Sequence, residues 1–254
     1  MQWLIQNSGM TFDALDHNLE PLVAALDELQ VSKHAIGFVP DTQTITGLEN
    51  IDHTIPTMFY GSTRVVELAA KLPFSPGVFY DPTWFDPAVI AEHRDDMLNQ
   101  INKKITVGEF RHSWTREPVF VKSTEPKALT GMVLENMDRD WWLEEYSHLT
   151  DDVELNLSPV HKIEKEWRFF IVKGEIVAGS QYKELGVLRI KPPVPENIHN
   201  RAFLMSEKWL PSENIVMDIC QLSTGEKKVV EVNCLNSSGF YNCNVKNIVE
   251  ALNK

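Results

Sequence analysis

The 254-residue sequence predicts a mixed protein, with a small α/β domain at its amino-terminal end followed by a larger α+β domain. Apolar strands alternate with amphipathic helices over the first eighty residues, a pattern typical of a partly parallel sheet. Later apolar runs are mostly strands joined by tight turns, as in antiparallel sheets. Prolines crowd residues 73–87, between the two patterns. We therefore expect one domain at residues 1–85 and another at residues 86–254.

The first domain is built from three predicted strands and two predicted helices. The strands are expected at residues 3–6, 35–39 and 57–60, and the helices at 19–29 and 62–72. Asn18 is placed to cap the first helix. Gly61 and Ser62 stand where the third strand meets the second helix. Their backbone N–H groups could bind an anion, but we favour ordinary helix capping.

The second domain is expected to be richer in strands. Its predicted strands are residues 102–107, 118–122, 153–160, 166–172, 176–182, 215–222 and 227–234. Its predicted helices are residues 87–98, 138–146, 196–209 and 244–252. Residues 123–132 and 191–195 are expected to be loops.

Composition and charge exclude several classes of function. A net charge of -12 with no basic run argues against a nucleic-acid or anionic-membrane surface. No long apolar run predicts a membrane span or a signal peptide, so we expect a cytoplasmic protein. The three cysteines lack CxxC spacing, which favours reduced thiols over disulfides or zinc. Oligomeric state does not follow from the sequence.

The hairpin at residues 215–234 contains a candidate metal site. Ser223, Thr224 and Gly225 form its predicted turn, so that Asp218 and Glu231 lie on neighbouring strands. Side chains alternate along a strand, which places Asn233 on the same face as Glu231. Two carboxylates and an amide are all-oxygen ligands that suit Mg²⁺ beside nucleotide phosphates. The alternative is a solvated hairpin face without a ligand.

Two cationic side chains are candidate phosphate ligands. Lys122 ends a short apolar strand and precedes a loop, although a strand-terminal lysine is often an ordinary surface residue. Arg168 alternates with Trp167 along a strand and shares its face with Glu166. A guanidinium can hold phosphate oxygens in a bidentate manner. The alternative for Arg168 is an exposed ion pair with Glu166.

These residues together resemble the ATP-grasp fold, which is shared by D-alanine-D-alanine ligase, glutathione synthetase and biotin carboxylase. Asp218, a gap of thirteen residues to Glu231, Asn233 and a polar loop with Gly239 resemble its metal-binding end. The resemblance implies two α+β lobes that clasp ATP, at about residues 86–155 and 156–254. The small α/β domain then looks like the domain that usually precedes an ATP-grasp fold.

The resemblance also implies roles for individual residues. The strand that ends in Lys122 is similar to the one whose lysine reaches the ATP phosphates, and residues 123–131 lie where the family keeps a phosphate-covering lid. Residues 156–160 resemble the adenine-reading linker. The implied nucleotide ligands are Lys122, Lys127, Ser158, Pro159, Val160, Glu164, Glu166 and Arg168. Lys122 and Arg168 would be catalytic, and Asn236, Ser238 and Tyr241 would face the acceptor substrate.

The reaction implied by the family is ATP-dependent joining of a carboxylate to an amine through an acyl phosphate. One or two Mg²⁺ ions, or Mn²⁺ as an alternative, would accompany ATP, and the substrates would be small molecules or peptides. Glu166-Trp167-Arg168, with residues 179–182, is similar to a clade of short ATP-grasp proteins from phages and bacteria in the peptide-ligase branch. A phosphotransferase and a non-catalytic ATP-binding or interaction module stay open as alternatives, because fold does not determine function.

Overall fold

The computed structural model describes most of the chain as two compact units. The described residues are 1–7, 12, 19–100, 103–113, 117–124, 129, 131–191 and 193–254, without the side chains of Pro87 and Asn136. One unit contains residues 1–86 and 163–254, and the other contains residues 87–162. The predicted Asn18 cap and the candidate ligand Lys127 lie outside the described residues. The sequence-based domain limits at residues 85 and 155 concern folding domains and lobes, and they stay predictions.

The described residues form fourteen strands and seven α-helices. The strands are β1 Gln2–Gln6, β2 Ser32–Val39, β3 Thr44–Thr46, β4 Thr57–Tyr60, β5 Pro76–Gly77, β6 Lys103–Thr106, β7 Val119–Ser123, β8 Met132–Leu134, β9 Glu154–Ser158, β10 Ile163–Val172, β11 Glu175–Glu184, β12 Val187–Lys191, β13 Ile215–Leu222 and β14 Lys227–Cys234. The helices are α1 Glu20–Glu28, α2 Thr63–Ala69, α3 Pro87–His93, α4 Val107–Ser113, α5 Arg139–Glu145, α6 Glu196–Ser206 and α7 Val245–Asn253. Short 3-10 turns cover Asn136–Asp138 and Leu235–Ser237.

The first sheet has the order β3-β2-β1-β4-β5, as the alternation of strands and helices predicts. Strands β1, β2, β4 and β5 are parallel, and β3 joins antiparallel to β2. Ser62 caps α2 by accepting a hydrogen bond from the Val65 amide. The Gly61 amide donates to the Asn236 carbonyl and the Ser62 amide donates to Gln6 Oε1. Because both donors are used within the protein, the structure supports capping at this junction.

The second sheet of the same unit is antiparallel, with the order β12-β11-β10-β13-β14. Gly225 has φ +84° in the β13–β14 turn, the conformation that glycine adopts without steric cost. Phe170 on β10 and Val216 on β13 pack into a core shared with the first sheet, α1 and α7. Asn244 caps α7 through the Asn247 amide, which brings this helix onto that core. One end of this sheet face is therefore apolar.

The other unit is built on a four-stranded sheet with the order β6-β9-β7-β8. Its core contains Val121 and Leu155 from the sheet and Trp142 from α5, all completely buried. Trp142 lies edge-on to Phe110 at a centroid distance of 5.0 Å, whereas the neighbouring Trp141 is 51% exposed. The prediction that the aromatic face of this helix belongs to the core is thus correct for Trp142 but not for Trp141.

Several elements differ from the prediction. Strand β10 begins at Ile163, although residues 161–165 were expected to be a polar connection. Strand β12 was expected to be a loop, because all of its residues are exposed and it has no alternation of burial to detect. Helix α4 was missed because seven residues are too few for a clear helical period. The predicted helix at 87–98 ends at His93. Within the described parts of the chain, no helix is long and apolar enough to cross a membrane.

Candidate functional site

Strand register brings three predicted site residues onto one face of the antiparallel sheet. Arg168 on β10 lies opposite Asp218 on β13, and Asp218 lies opposite Glu231 on β14. Directly opposed residues share a face and have neighbouring side chains. Asn233 lies two residues beyond Glu231 on the same strand, opposite Val216. Candidate metal ligands and the candidate catalytic arginine are therefore neighbours, at the polar end of a face whose other end is apolar.

Arg168 is held by a bidentate ion pair. Its Nε donates to Asp218 Oδ1 at 2.8 Å, and its Nη2 donates to Asp218 Oδ2 at 2.7 Å. Its Nη1 donates to the carbonyl of Gly239 at 3.0 Å. These bonds use three of the five guanidinium hydrogens, so two remain for other acceptors. The alternative of an exposed Glu166–Arg168 pair is wrong, because Arg168 is 7% exposed and pairs with Asp218.

Two tyrosines complete the surroundings of Arg168. The guanidinium carbon lies 4.7 Å from the ring centroid of Tyr241 and 5.5 Å from that of Tyr182, and the two rings stack at 4.8 Å. The Tyr182 hydroxyl donates to Glu166 Oε2 at 2.7 Å and lies 3.2 Å from Asp218 Oδ2. Tyr182 thus links two carboxylates while its ring contacts the cation. The sequence analysis did not select Tyr182, although it lies in the 179–182 segment used for the resemblance.

The cluster carries an excess of negative charge. Glu166, Asp218 and Glu231 contribute three carboxylates, whereas Arg168 and Lys183, whose Nζ lies 3.6 Å from Glu166, contribute two cations. Burial raises the pKa of Asp218 to about 6, although the hydrogen bonds and charge of Arg168 lower it. Burial acts to lower the pKa of Arg168, but its bonds to Asp218 outweigh burial and raise that pKa. At neutral pH both members of this pair are charged.

The predicted metal ligands fit Mg²⁺ in chemistry, but only partly in accessibility. All three offer oxygen, and the Glu231 side chain is 43% exposed while Asn233 is partly exposed. Asp218 is completely buried, contrary to the expectation that it lies at a surface, and both of its oxygens accept from Arg168. No three His, Cys, Asp or Glu side chains among the described residues form a metal-binding group by themselves. Glu231 and Asn233 are the accessible part of the predicted set.

A row of two lysines and an asparagine crosses the sheet of the other unit. Lys122 on β7 lies opposite Asn156 on β9, which in turn lies opposite Lys104 on β6. Both lysines are exposed, whereas Asn156 is 9% exposed and its Oδ1 has no hydrogen-bond partner. We call these three residues the lysine row. Lys104 was missed, but the predicted strand at 102–107 already placed its side chain opposite to the buried Ile105.

The remaining predicted nucleotide ligands do not form one group. Ser158 is buried at the end of β9, and its Oγ donates to the Gln100 carbonyl at 3.0 Å. Pro159 and Val160, which follow it, are exposed. Glu164 belongs to the other compact unit, where its carboxylate accepts from Gln221 Nε2 at 3.3 Å. The roles of these residues in adenine and ribose binding stay predictions.

The loop after β14 differs from the expectation for substrate contacts. Asn236 is completely buried, and its amide donates to the Phe59 carbonyl and accepts from the Phe79 amide. Ser238 is 5% exposed and donates to the Cys234 carbonyl at 2.8 Å. Tyr241 is 36% exposed and has φ +44°. The first two residues therefore hold this loop to the first sheet, and Tyr241 is the accessible member of the predicted substrate group.

The cysteines support a prediction about thiol reactivity. Burial raises the pKa of Cys220 and Cys234 to about 12 and that of Cys243 to about 11, from an ordinary value of 9.0. Since the thiolate is the reactive form, we expect DTNB to label the thiols at about pH 8 far more slowly in the native protein than in denaturant. The protonated thiols favour the folded state below about pH 9, and this stabilisation is lost as the pH rises towards about 12. Rapid native labelling would contradict the assignment.

Comparisons with known proteins agree with this geometry. A family model described as an ATP-grasp domain, family 2 of its clade, matches residues 101–251. No curated protein matches the chain significantly in sequence.

Solved structures share the fold across nearly the whole chain. A RimK domain protein ATP-grasp from Sphaerobacter thermophilus is 12% identical over 98% of both chains, with a TM-score of 0.64. The macrocyclase MdnC bound with precursor peptide MdnA, from Microcystis aeruginosa, is 12% identical over 100% of both chains, with a TM-score of 0.57. The ATP-grasp ligase PsnB complexed with minimal precursor, Mg and ADP is 12% identical over 94% of this chain and 90% of that one, with a TM-score of 0.53. At these identities the likeness concerns the fold.

Proposed function

Because the chain belongs to this ATP-grasp domain family, as its resemblance implied, we propose that it is an ATP- and Mg²⁺-dependent carboxylate-amine ligase. In this reaction a carboxylate oxygen attacks the γ-phosphorus of ATP and ADP leaves. The amine nitrogen then attacks the acyl carbon of the acyl phosphate, and inorganic phosphate leaves. The observation that carries the proposal is the register that sets Arg168 beside Asp218, with Glu231 and Asn233 on the next strand.

Arg168 is the proposed catalytic cation. Asp218 fixes the plane of its guanidinium through two hydrogen bonds, and Tyr182 and Tyr241 contact the cation with their rings. Its two remaining hydrogens are available to phosphoryl oxygens. A cation that is already oriented needs little reorganisation as charge develops in the transition state, and such preorganised groups contribute strongly to catalysis.

Glu231 and Asn233 would hold Mg²⁺, because their oxygens are accessible and suit this ion. When bound, Mg²⁺ would neutralise charge on the ATP phosphates. Asp218 would act on this site chiefly by orienting Arg168 and by adding negative charge. Its role as a direct ligand stays a prediction.

The lysine row is the proposed contact for the ATP phosphates in the other unit. Lys104 and Lys122 are exposed on one face of the sheet, and the buried Oδ1 of Asn156 lies between their strands without a partner. A lysine ammonium can donate hydrogen bonds to phosphate and also neutralise its charge. Asn156 adds a polar group whose side-chain amide can contact a bound ligand.

The structural neighbours suggest the kind of substrate. MdnC and PsnB were both solved with precursor peptides, and PsnB was solved with Mg and ADP. We therefore include peptides, beside small carboxylates and amines, among the proposed substrates.

The proposed function is tested by incubating the protein with ATP, Mg²⁺ and pools of amino acids, peptides and metabolites. We expect ADP release together with a new amide mass. A phosphorylated product and ADP without an amide would indicate a phosphotransferase. ATP binding without turnover on any pool would indicate a binding module, and either outcome would contradict the ligase.

Lys122→Met should weaken ATP affinity by ~1.5 to 3 kcal/mol, because it removes a hydrogen bond to a charged group. Calorimetric titration with Mg-ATP measures the effect. Lys103→Met is the matched control, since Lys103 is also exposed but precedes Lys104 on the strand and points to the other face. An unchanged dissociation constant for Lys122→Met would show that Lys122 is an ordinary surface lysine.

A further inference from the structure

Strand β12 is an exposed edge of the antiparallel sheet. It stands at the end of the sheet order and pairs only with β11 among the described strands. All five of its residues are exposed, with Val187 at 58%, Leu188 at 60% and Ile190 at 42%. Leu185 in the preceding turn is 67% exposed. An edge with large exposed apolar side chains is a template for pairing with another strand.

The two faces of β12 differ in chemistry. Glu184 pairs with Val187, so by alternation Arg189 and Lys191 share their face. Arg189 lies 3.3 Å and Lys191 2.7 Å from the same Glu184 oxygen. One carboxylate thus faces two cations, and both cations are more than half exposed. This strand is locally basic in a chain whose net charge is -12.

The opposite face of β12 continues the face of the candidate site. Leu188 pairs with Lys183 on β11, and Lys183 pairs with Glu166 on β10 and forms an ion pair with it. Ile190 lies two residues beyond Leu188, on the same face. A strand added outside β12 would lie three strand spacings, or about 14 Å, from β10. It would be an anchoring segment, separate from the groups that react beside Arg168.

Self-pairing of this edge is disfavoured by charge. In an antiparallel pair of two β12 strands centred on the strand, Arg189 lies directly opposite Arg189 of the second copy. Like charges directly opposite each other destabilise a pair of strands. An extended segment with apolar and acidic residues in alternation has the complementary pattern, because its acidic face meets Arg189 and Lys191 and its apolar face meets Leu188 and Ile190.

We propose that β12 is a docking edge for an extended, acidic and apolar segment of a peptide substrate, which binds by strand addition. Only the word substrate rests on the proposed ligase function. Main-chain hydrogen bonds would supply affinity, and the alternating side chains would supply selectivity.

The test is fluorescence anisotropy with the full chain and a short labelled peptide of alternating Val and Glu. We expect saturable binding, and at least about tenfold weaker binding, or ~1.4 kcal/mol, for the double variant Leu188→Ser with Ile190→Ser. The control variant is Phe203→Ser with Leu204→Ser on α6, which removes apolar side chains that are 45% and 58% exposed. It should bind like the wild type.

Two further peptides test the chemistry on the wild-type protein. A Val-Lys peptide should bind at least about tenfold more weakly if charge is recognised. The Val-Glu peptide with N-methyl groups on alternate amides should also lose binding, since it cannot complete a strand ladder. Undetectable Val-Glu binding, or equal binding of the N-methylated peptide or by the β12 double variant, would overturn the proposal.

Light scattering supplies the remaining comparison. A wild-type dimer that the β12 variant converts to a monomer would identify the edge as a contact between copies and would also overturn the proposal. None of these measurements needs ATP, so failure of peptide docking is distinguishable from failure of the ligase activity.

Discussion

Asp218→Asn should lower the free energy of unfolding by about 3 kcal/mol, because it leaves the buried guanidinium of Arg168 without its charged partner. Asp218 is completely buried and forms both arms of the ion pair. The structure therefore corrects the expectation from sequence that this substitution affects metal binding without affecting folding. Urea denaturation followed by circular dichroism measures the change.

Glu231→Gln is the matched control for this prediction. Its side chain is 43% exposed and lies 3.8 Å from Arg168 Nη2, so its contribution to stability should be only ~0 to 1 kcal/mol. The same variant should weaken Mg-ATP affinity by about tenfold or more, since even residues outside the immediate ligand shell contribute that much at metal sites. Equal stability losses in the two variants would contradict the proposed division of roles. Unchanged Mg-ATP affinity in Glu231→Gln would remove Glu231 from the metal site.

Arg168→Lys should reduce turnover by about 100-fold or more while ATP affinity changes much less, once a substrate is known. Lysine keeps the positive charge, but it cannot donate two parallel bonds to Asp218 and still present hydrogens in the guanidinium plane. Stabilisation that develops only in the transition state affects the catalytic rate more than ground-state binding. Steady-state kinetics and calorimetric ATP titration on the same preparation separate the two effects.

Arg64→Lys provides the control for the arginine prediction. Arg64 lies on α2, is 46% exposed and forms an ion pair with Glu67, so its replacement should leave turnover unchanged. Denaturation of Arg168→Lys shows whether a loss of rate comes from unfolding. Full activity in folded Arg168→Lys would show that another group stabilises the transferring phosphoryl.

Much of the site could be predicted from local sequence, because strand geometry is periodic. Alternation along β10 placed Glu166 and Arg168 on one face and Trp167 on the other, as observed. The hairpin turn at Gly225 set the register of the last two strands, so that Asp218 faces Glu231. The ATP-grasp fold itself followed from the order and spacing of such residues.

Long-range pairing lay beyond the sequence, because a local pattern does not specify which distant strand becomes the neighbour. Nothing in the sequence showed that Arg168 would pair with Asp218, fifty residues later, rather than with Glu166. Strand register joined Lys104, Asn156 and Lys122 into one row across three strands. Contacts with the first sheet turned Asn236 from a candidate substrate ligand into a structural residue.

The sequence by itself determined the classes of element, the fold and the chemical kinds of side chain near the candidate site, since these depend on periodicity, turn residues and residue type. Only the tertiary structure decided which charges are buried and which partners satisfy them. Burial and pairing arise when distant segments exclude water together, as they do around Asp218, Arg168 and Tyr182. The same packing left β12 exposed at the edge of the sheet, where local sequence had indicated a loop.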